Sequence, residues 1–175
     1  MNWKAITPAI IFLFTLLLPS GLLAESSICT FPAEILSITD GDTIVIIHRG
    51  HKERLRLIGI NAPECRPTPK ADKDAIRTVA YLRTINEMGQ RATQYVKSVI
   101  RSGDHVNIEL DMQKRDWYGR LLGYVWVQDG RMLNEEIVRA GFAGLMTYPP
   151  NIRHLRRLQE AYRDAREQKR GLWSD

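Results

Sequence analysis

The chain has 175 residues, 44% of them hydrophobic, and a formal net charge of +5. That length suffices for one domain with a real core and is too short for two of ordinary size. A basic balance favours polyanions such as nucleic acid or an anionic membrane surface, while two cysteines without C-x-x-C spacing and four scattered histidines argue against a zinc site.

The first 24 residues, MNWKAITPAIIFLFTLLLPSGLLA, carry one charge (Lys4), an apolar centre from Ile10 to Leu18, and small or apolar residues before Glu25. This is the pattern of a secretory signal peptide cleaved after Ala24. Pro8, Pro19 and Gly21 interrupt the run and argue against an uncleaved anchor, which needs roughly 20 apolar residues. Bulky Ile28 argues against a lipid anchor on Cys29. The expected mature domain is therefore 25–175, exported to a periplasm or beyond the cell. In such a chain the even pair Cys29 and Cys65 is expected to be bridged, a closure that stabilises by about 3–4 kcal/mol on the chain-entropy model.

From Ala33 to Ile60, short apolar runs alternate with the turn signals TDGD and RGHKE, which predicts a three-stranded meander. APECRPTPKADKD, with three prolines, reads as a loop. Between Ala75 and Ile100 the second half has helical spacing, with Ala92, Tyr95, Val96 and Val99 on one side and Gly103 placed to end it; the first half fits either a short extra helix or an extended loop. Strands return from His105, with turns near Asp116–Gly119 and at Asp129–Gly130. Asn134, followed by Glu135 and Glu136, reads as the N-cap of a short helix stopped at Gly141. A last helix places Leu155, Leu158, Tyr162 and Ala165 on one face and arginines on the others, so the basic excess falls between Arg153 and Arg170. The order predicts an α+β domain, mainly β: a five-stranded Greek-key barrel of the OB-fold plan with about three packed helices.

Three stretches carry candidate chemistry. DGDT, Asp40 to Thr43, is a turn signal by itself, and its two carboxylates also offer hard oxygen ligands to Ca²⁺ or Mg²⁺. In RLRLIGINAPE, strand parity turns Arg56 away from the side of Leu55 and Leu57. It is then either a solvent-facing arginine or a fork for the equatorial oxygens of a phosphodiester under attack, with Glu64 near enough to take a proton from water. DWYGR adds Arg120 after a glycine turn, beside Tyr118. Two arginines, a glutamate and an acidic turn in a basic chain are the contents of a metal-assisted phosphodiesterase site.

ITDGDT, RLRLIGINAPE, RDWYGR, NEEIVRAGFA and the closing GLWS, in this order, resemble the staphylococcal nuclease (thermonuclease) family from about Ala33 to Ser174. The resemblance implies a secreted, Ca²⁺-dependent, sugar-nonspecific endonuclease acting on single-stranded or frayed DNA and on RNA as a monomer, with no stable membrane association after signal cleavage. It implies Asp42 as a carboxylate ligand of one Ca²⁺, Ala62 as a backbone carbonyl ligand, and Asp40 as a further acid near the ion. Glu64 corresponds to the general base, Arg56 and Arg120 to the arginines on the scissile phosphate, and Tyr118 and Tyr148 to contacts with bound nucleotide. The chain departs from the family pattern in three places. Asn61 stands where a second metal-binding Asp is usual, which implies weaker metal binding or another metal preference. The segment Arg66 to Asn86 is an insert, and FAGLMTYPPN is one residue short and offers one tyrosine, Tyr148, where the pattern has two. Trp117 is either a substitute platform or a locally packed hairpin residue. Two other classes fit less of the chain: a non-catalytic nucleic-acid-binding OB module, disfavoured because Asp42, Arg56, Glu64 and Arg120 are all present, and a membrane-surface protein, disfavoured because the last helix has a face suited to packing on a barrel.

Overall fold

A computed structural model describes residues 29–64 and 78–174. The signal-peptide reading, Cys65 and positions 66–77 of the insert lie outside the described residues; of the expected Cys29–Cys65 pair, only Cys29 is seen, exposed at the start of the first strand.

The meander forms as β1 (Cys29–Ile38), β2 (Thr43–His48) and β3 (His51–Leu57), paired antiparallel. β2 turns into β3 on Arg49 and Gly50, with φ of 50° and 77°; positive φ at both central positions gives the tight hairpin whose twist matches its strands. Alternation along these strands sends Ile44, Ile46, Leu55 and Leu57 into the core. A register shift between Ile35 and Ser37 bulges β1, which bends a strand and here serves pairing with two neighbours. β3 continues through Ile58 into β4 (Gly59–Asn61). After the first helix, β5 (His105–Leu110) pairs with β1 and with β6 (Leu121–Trp126), and β6 runs parallel to β3. The order β1-β2-β3-β6-β5 closes into a barrel, the expected OB plan, and closure removes the unpaired sheet edges. β4 and β7 (Gly144–Met146) form a separate two-stranded sheet.

α1 (Thr78–Val99) is one continuous helix, so the undecided stretch is helical from Thr78 onward; Ala92 and Val96 are fully buried on its inner side. α2 (Leu133–Arg139) is followed by Gly141 at φ 81°, as expected, but its N-terminus corrects the sequence reading. Met132, not Asn134, takes the cap position, and no side chain caps the helix. Asn134 is fully buried: its Oδ1 accepts from Val125 N at 3.0 Å and its Nδ2 donates to Ile58 O at 2.9 Å. Interior backbone groups must find partners, and this demand claims the asparagine that an isolated helix would use as a cap. α3 (Leu155–Glu167) buries Leu158, Ala161 and Ala165. Gly59 has φ 82°, and a Cβ there would meet Leu158 Cδ1 at 2.4 Å, so glycine lets α3 close on β4. Among the described residues no helix is long and apolar enough to cross a membrane.

Candidate active site

The Asp40–Thr43 turn is tied down before it presents any chemistry. Asp42 N donates to Asp40 Oδ1 at 3.1 Å, Thr39 N donates to Thr43 O at 3.0 Å, and Leu57 N donates to Asp42 O at 2.9 Å. A Cβ on Gly41 would lie 2.6 Å from Ala62 Cβ and 2.9 Å from Ala92 Cβ, so only glycine admits this close packing of turn, loop and α1. Asp42 is thereby held 7% exposed. Its Oδ2 accepts from Ala62 N at 2.8 Å and pairs with Arg56 Nη1 at 2.8 Å, while Thr43 Oγ1 donates to Oδ1 at 3.2 Å. Burial pushes the Asp42 carboxyl up to about 6, against the pull of Arg56 and the Ala62 N–H and with a further push from Asp40.

Arg56 sits on β3 between inward-facing Leu55 and Leu57, so its side chain leaves the barrel on the opposite side. Its Nη1 also donates to Asp42 O at 3.3 Å, and Nη2 donates to Asn61 Oδ1 at 3.1 Å. Burial draws the guanidinium below its usual range; Asp42 opposes this, Arg120 adds to it, and Asp40 and Glu64 also pull upward. Arginine remains protonated under such shifts.

Arg120 arrives from a hairpin 64 positions later in the chain. The parallel pairing of β3 with β6 sets Arg56 opposite Leu122, and Arg120 lies two residues earlier, on the same side by strand parity. Asp116 holds it there: Arg120 N and Nε donate to the Asp116 carboxylate at 2.9 and 2.7 Å, and Tyr118 N donates to the same group at 2.9 Å. Burial alone would raise the Asp116 carboxyl, but these hydrogen bonds outweigh it and hold the group below its usual range. With Nε engaged, the two Nη groups of Arg120 make no hydrogen bond among the described residues, and the guanidinium lies 5.5 Å from the Tyr118 ring centroid.

One cavity of about 690 Å³ collects Asp40, Asp42, Arg56, Asn61, Glu64 and Arg120, with Tyr118 and Tyr148 also on its wall. The candidate residues therefore converge, apart from Ala62, whose N–H fastens Asp42 instead of facing this space. Sequence reasoning missed Arg54, which shares the outward parity of Arg56 and lines the same cavity; the i, i+2 spacing on β3 was the available signal. It also missed a clasp. Gln113 N donates to Asn151 Oδ1 and Asn151 Nδ2 donates to Gln113 O, both at 2.8 Å, joining the Tyr148 loop to the segment ahead of Asp116. No local pattern signals a contact 38 residues apart.

The described residues bring no three His, Cys, Asp or Glu side chains together as a metal cage. What they offer is the carboxylates of Asp42 and Asp40 and the amide oxygen of Asn61, all hard donors suited to Ca²⁺. A buried carboxylate whose ionised form is disfavoured is also one that a cation would stabilise. The donor set fits a single oxygen-loving cation.

A closed OB barrel with two guanidiniums and adjacent carboxylates on one cavity is an arrangement suited to receiving a phosphate. The family model described as Staphylococcal nuclease homologue matches residues 54–175. The chain is 30% identical over 142 residues to a thermonuclease of Staphylococcus hyicus, covering 81% of this chain and 75% of that one. It is 32% identical over 136 residues to a thermonuclease of Staphylococcus intermedius, covering 78% and 72%. It is also 33% identical over 141 residues to an uncharacterized endonuclease of Escherichia coli O157:H7, covering 81% and 76%. The protein belongs to the staphylococcal nuclease family and is a nuclease.

Proposed function

We propose that residues 25–175 form a single exported domain that hydrolyses phosphodiester bonds of DNA and RNA without regard to the sugar. The observation that carries this reading is the convergence of Arg56 and Arg120, from two distant segments, with Glu64 and Asp42 on one cavity. Arg120, held through Nε by Asp116, presents its Nη fork to a phosphate, and Arg56 faces the same phosphate from β3. Both add positive charge where the pentacovalent transition state gathers negative charge. Glu64 takes a proton as water oxygen bonds to phosphorus; the opposite P–O ester bond breaks, and the leaving oxygen is protonated from solvent. Held by Asp42 with Asn61 and Asp40, Ca²⁺ would supply Lewis-acid polarisation of a phosphoryl oxygen. Contact of Tyr118 and Tyr148 with the nucleotide is supported by their exposure, 85% and 68%, on the wall of the same cavity. Phosphate contacts dominate, so sequence preference is weak and salt dependence strong.

A panel of divalent metals against plasmid DNA and RNA, with purified residues 25–175, tests the reading. Acid-soluble nucleotides should appear with Ca²⁺, vanish with EDTA, and fall about 10²–10³-fold on Arg120→Ala, with comparable losses for Arg56→Ala and Glu64→Gln. Nucleic-acid binding with no release in any metal would make the chain a non-catalytic OB module instead.

A further inference from the structure

Five large hydrophobic side chains stand exposed among the described residues: Met112, Trp117, Tyr118, Tyr148 and Ile152. The three aromatic ones all line the one cavity that holds Arg56 and Arg120. Isolated exposed hydrophobics need no explanation, but three aromatics gathered around paired guanidiniums do. Trp117 is the extreme case. It is 100% exposed, and its ring has no aromatic or cationic neighbour among the described residues, so local packing does not account for it. The turn that carries it is nonetheless held, because the Asp116 carboxylate binds the backbone N–H of Tyr118 and Arg120 on either side of Gly119. Tyr118, its neighbour, lies against the Arg120 guanidinium, which leaves Trp117 as the unengaged ring of the turn.

We propose that Trp117 is a stacking platform for an unpaired nucleobase adjoining the phosphate at Arg120. The proposal rests on the phosphodiesterase reading of the same cavity. A bared indole beside a cationic groove matches how single strands are held, with phosphates on the charges and bases on aromatic faces. Base faces in a duplex are covered by their neighbours, so a ring on the rim of the cavity gains contact only where a base is unstacked.

Binding is measured in EDTA for wild type, Trp117→Ala and Trp117→Phe, using a labelled twelve-nucleotide thymidine strand, an abasic strand of the same charge, and a duplex of the same length. Trp117→Ala should weaken the thymidine strand roughly ten-fold or more, the scale of one lost stacked base, with a clearly smaller loss on the abasic strand and the duplex. Trp117→Phe should recover most of the affinity. An unchanged affinity for the thymidine strand, or an equal loss on all three probes, overturns the proposal. Cleavage is scored separately with Ca²⁺: a wild type that cuts while Trp117→Ala shows no selective loss sinks the platform alone. A selective loss in a protein that cuts under no metal sinks the nuclease mechanism and leaves the platform standing.

Discussion

Arg56 Nη1 lies 2.8 Å from Asp42 Oδ2, and the same guanidinium donates to Asn61 Oδ1 at 3.1 Å. One cationic side chain thus engages two of the groups proposed as ligands of a divalent cation, pairing with the Asp42 charge and donating to the Asn61 amide oxygen. Cation binding at Asp42 and the freedom of Arg56 to meet a phosphate are therefore linked. The pair is nearly buried, and a buried pair is costly to leave half complete.

The pH dependence of cation binding follows from Asp42. Its carboxyl is raised from 3.8 to about 6, chiefly by burial. Between about pH 4 and 6 the metal-free folded protein therefore binds more protons than the unfolded chain. The contribution to stability is full below pH 4 and is lost as pH rises through 6. Since a cation competes with that proton, the gain in Tm on adding Ca²⁺ should grow from about pH 5 to 7 and then level off. A gain that stays constant across this window would exclude Asp42 as a ligand.

Asn61 brings an oxygen but no charge to the donor set. Asn61→Asp should lower the Ca²⁺ concentration for half-maximal activity by about three-fold or more, because ligand charge tunes calcium affinity. Titration of activity against Ca²⁺ decides it, and an unchanged midpoint would place the ion elsewhere.

Asp116 acts on the site through Arg120. Asp116→Ala removes the acceptor for Arg120 N, Arg120 Nε and Tyr118 N, so kcat/KM should fall roughly ten- to hundred-fold through misplacement of the guanidinium. Stability should drop by about 1–2 kcal/mol. The lowered pKa of Asp116 makes its stabilising contribution present above about pH 4 and lost as pH falls through the lower folded value. Full activity in Asp116→Ala would show that Arg120 needs no such clamp.

Arg54 lines the cavity and has no ion pair among the described residues. Arg54→Ala should weaken single-strand binding most at low salt and reduce the slope of log affinity against log salt by about 0.7. An unchanged slope would remove Arg54 from the phosphate track.

Asn134 is a test of the fold. Asn134→Ala leaves the backbone groups of Val125 and Ile58 without their buried partner, a loss of about 3 kcal/mol. Tm should fall by roughly 6–12 °C. If Asn134 were merely an exposed cap, the drop would be nearer that of about 1 kcal/mol.

The sequence by itself determined what depends on neighbours along the chain: strand alternation from Ile44 to Leu57, the hairpin at Arg49–Gly50, the glycine that follows α2, and the buried face of α3. It also named Asp42, Arg56, Glu64 and Arg120, because motif order is a one-dimensional property. Only the tertiary structure decided which groups meet. Parallel pairing of β3 with β6 brings Arg120 beside Arg56, closure of the barrel buries Asn134 against Ile58 and Val125, and the Asp116 turn leaves Trp117 bare. Periodicity reports which side a residue faces. Which partner waits there, and whether water is excluded, depends on contacts between segments tens of residues apart, and those are set by packing.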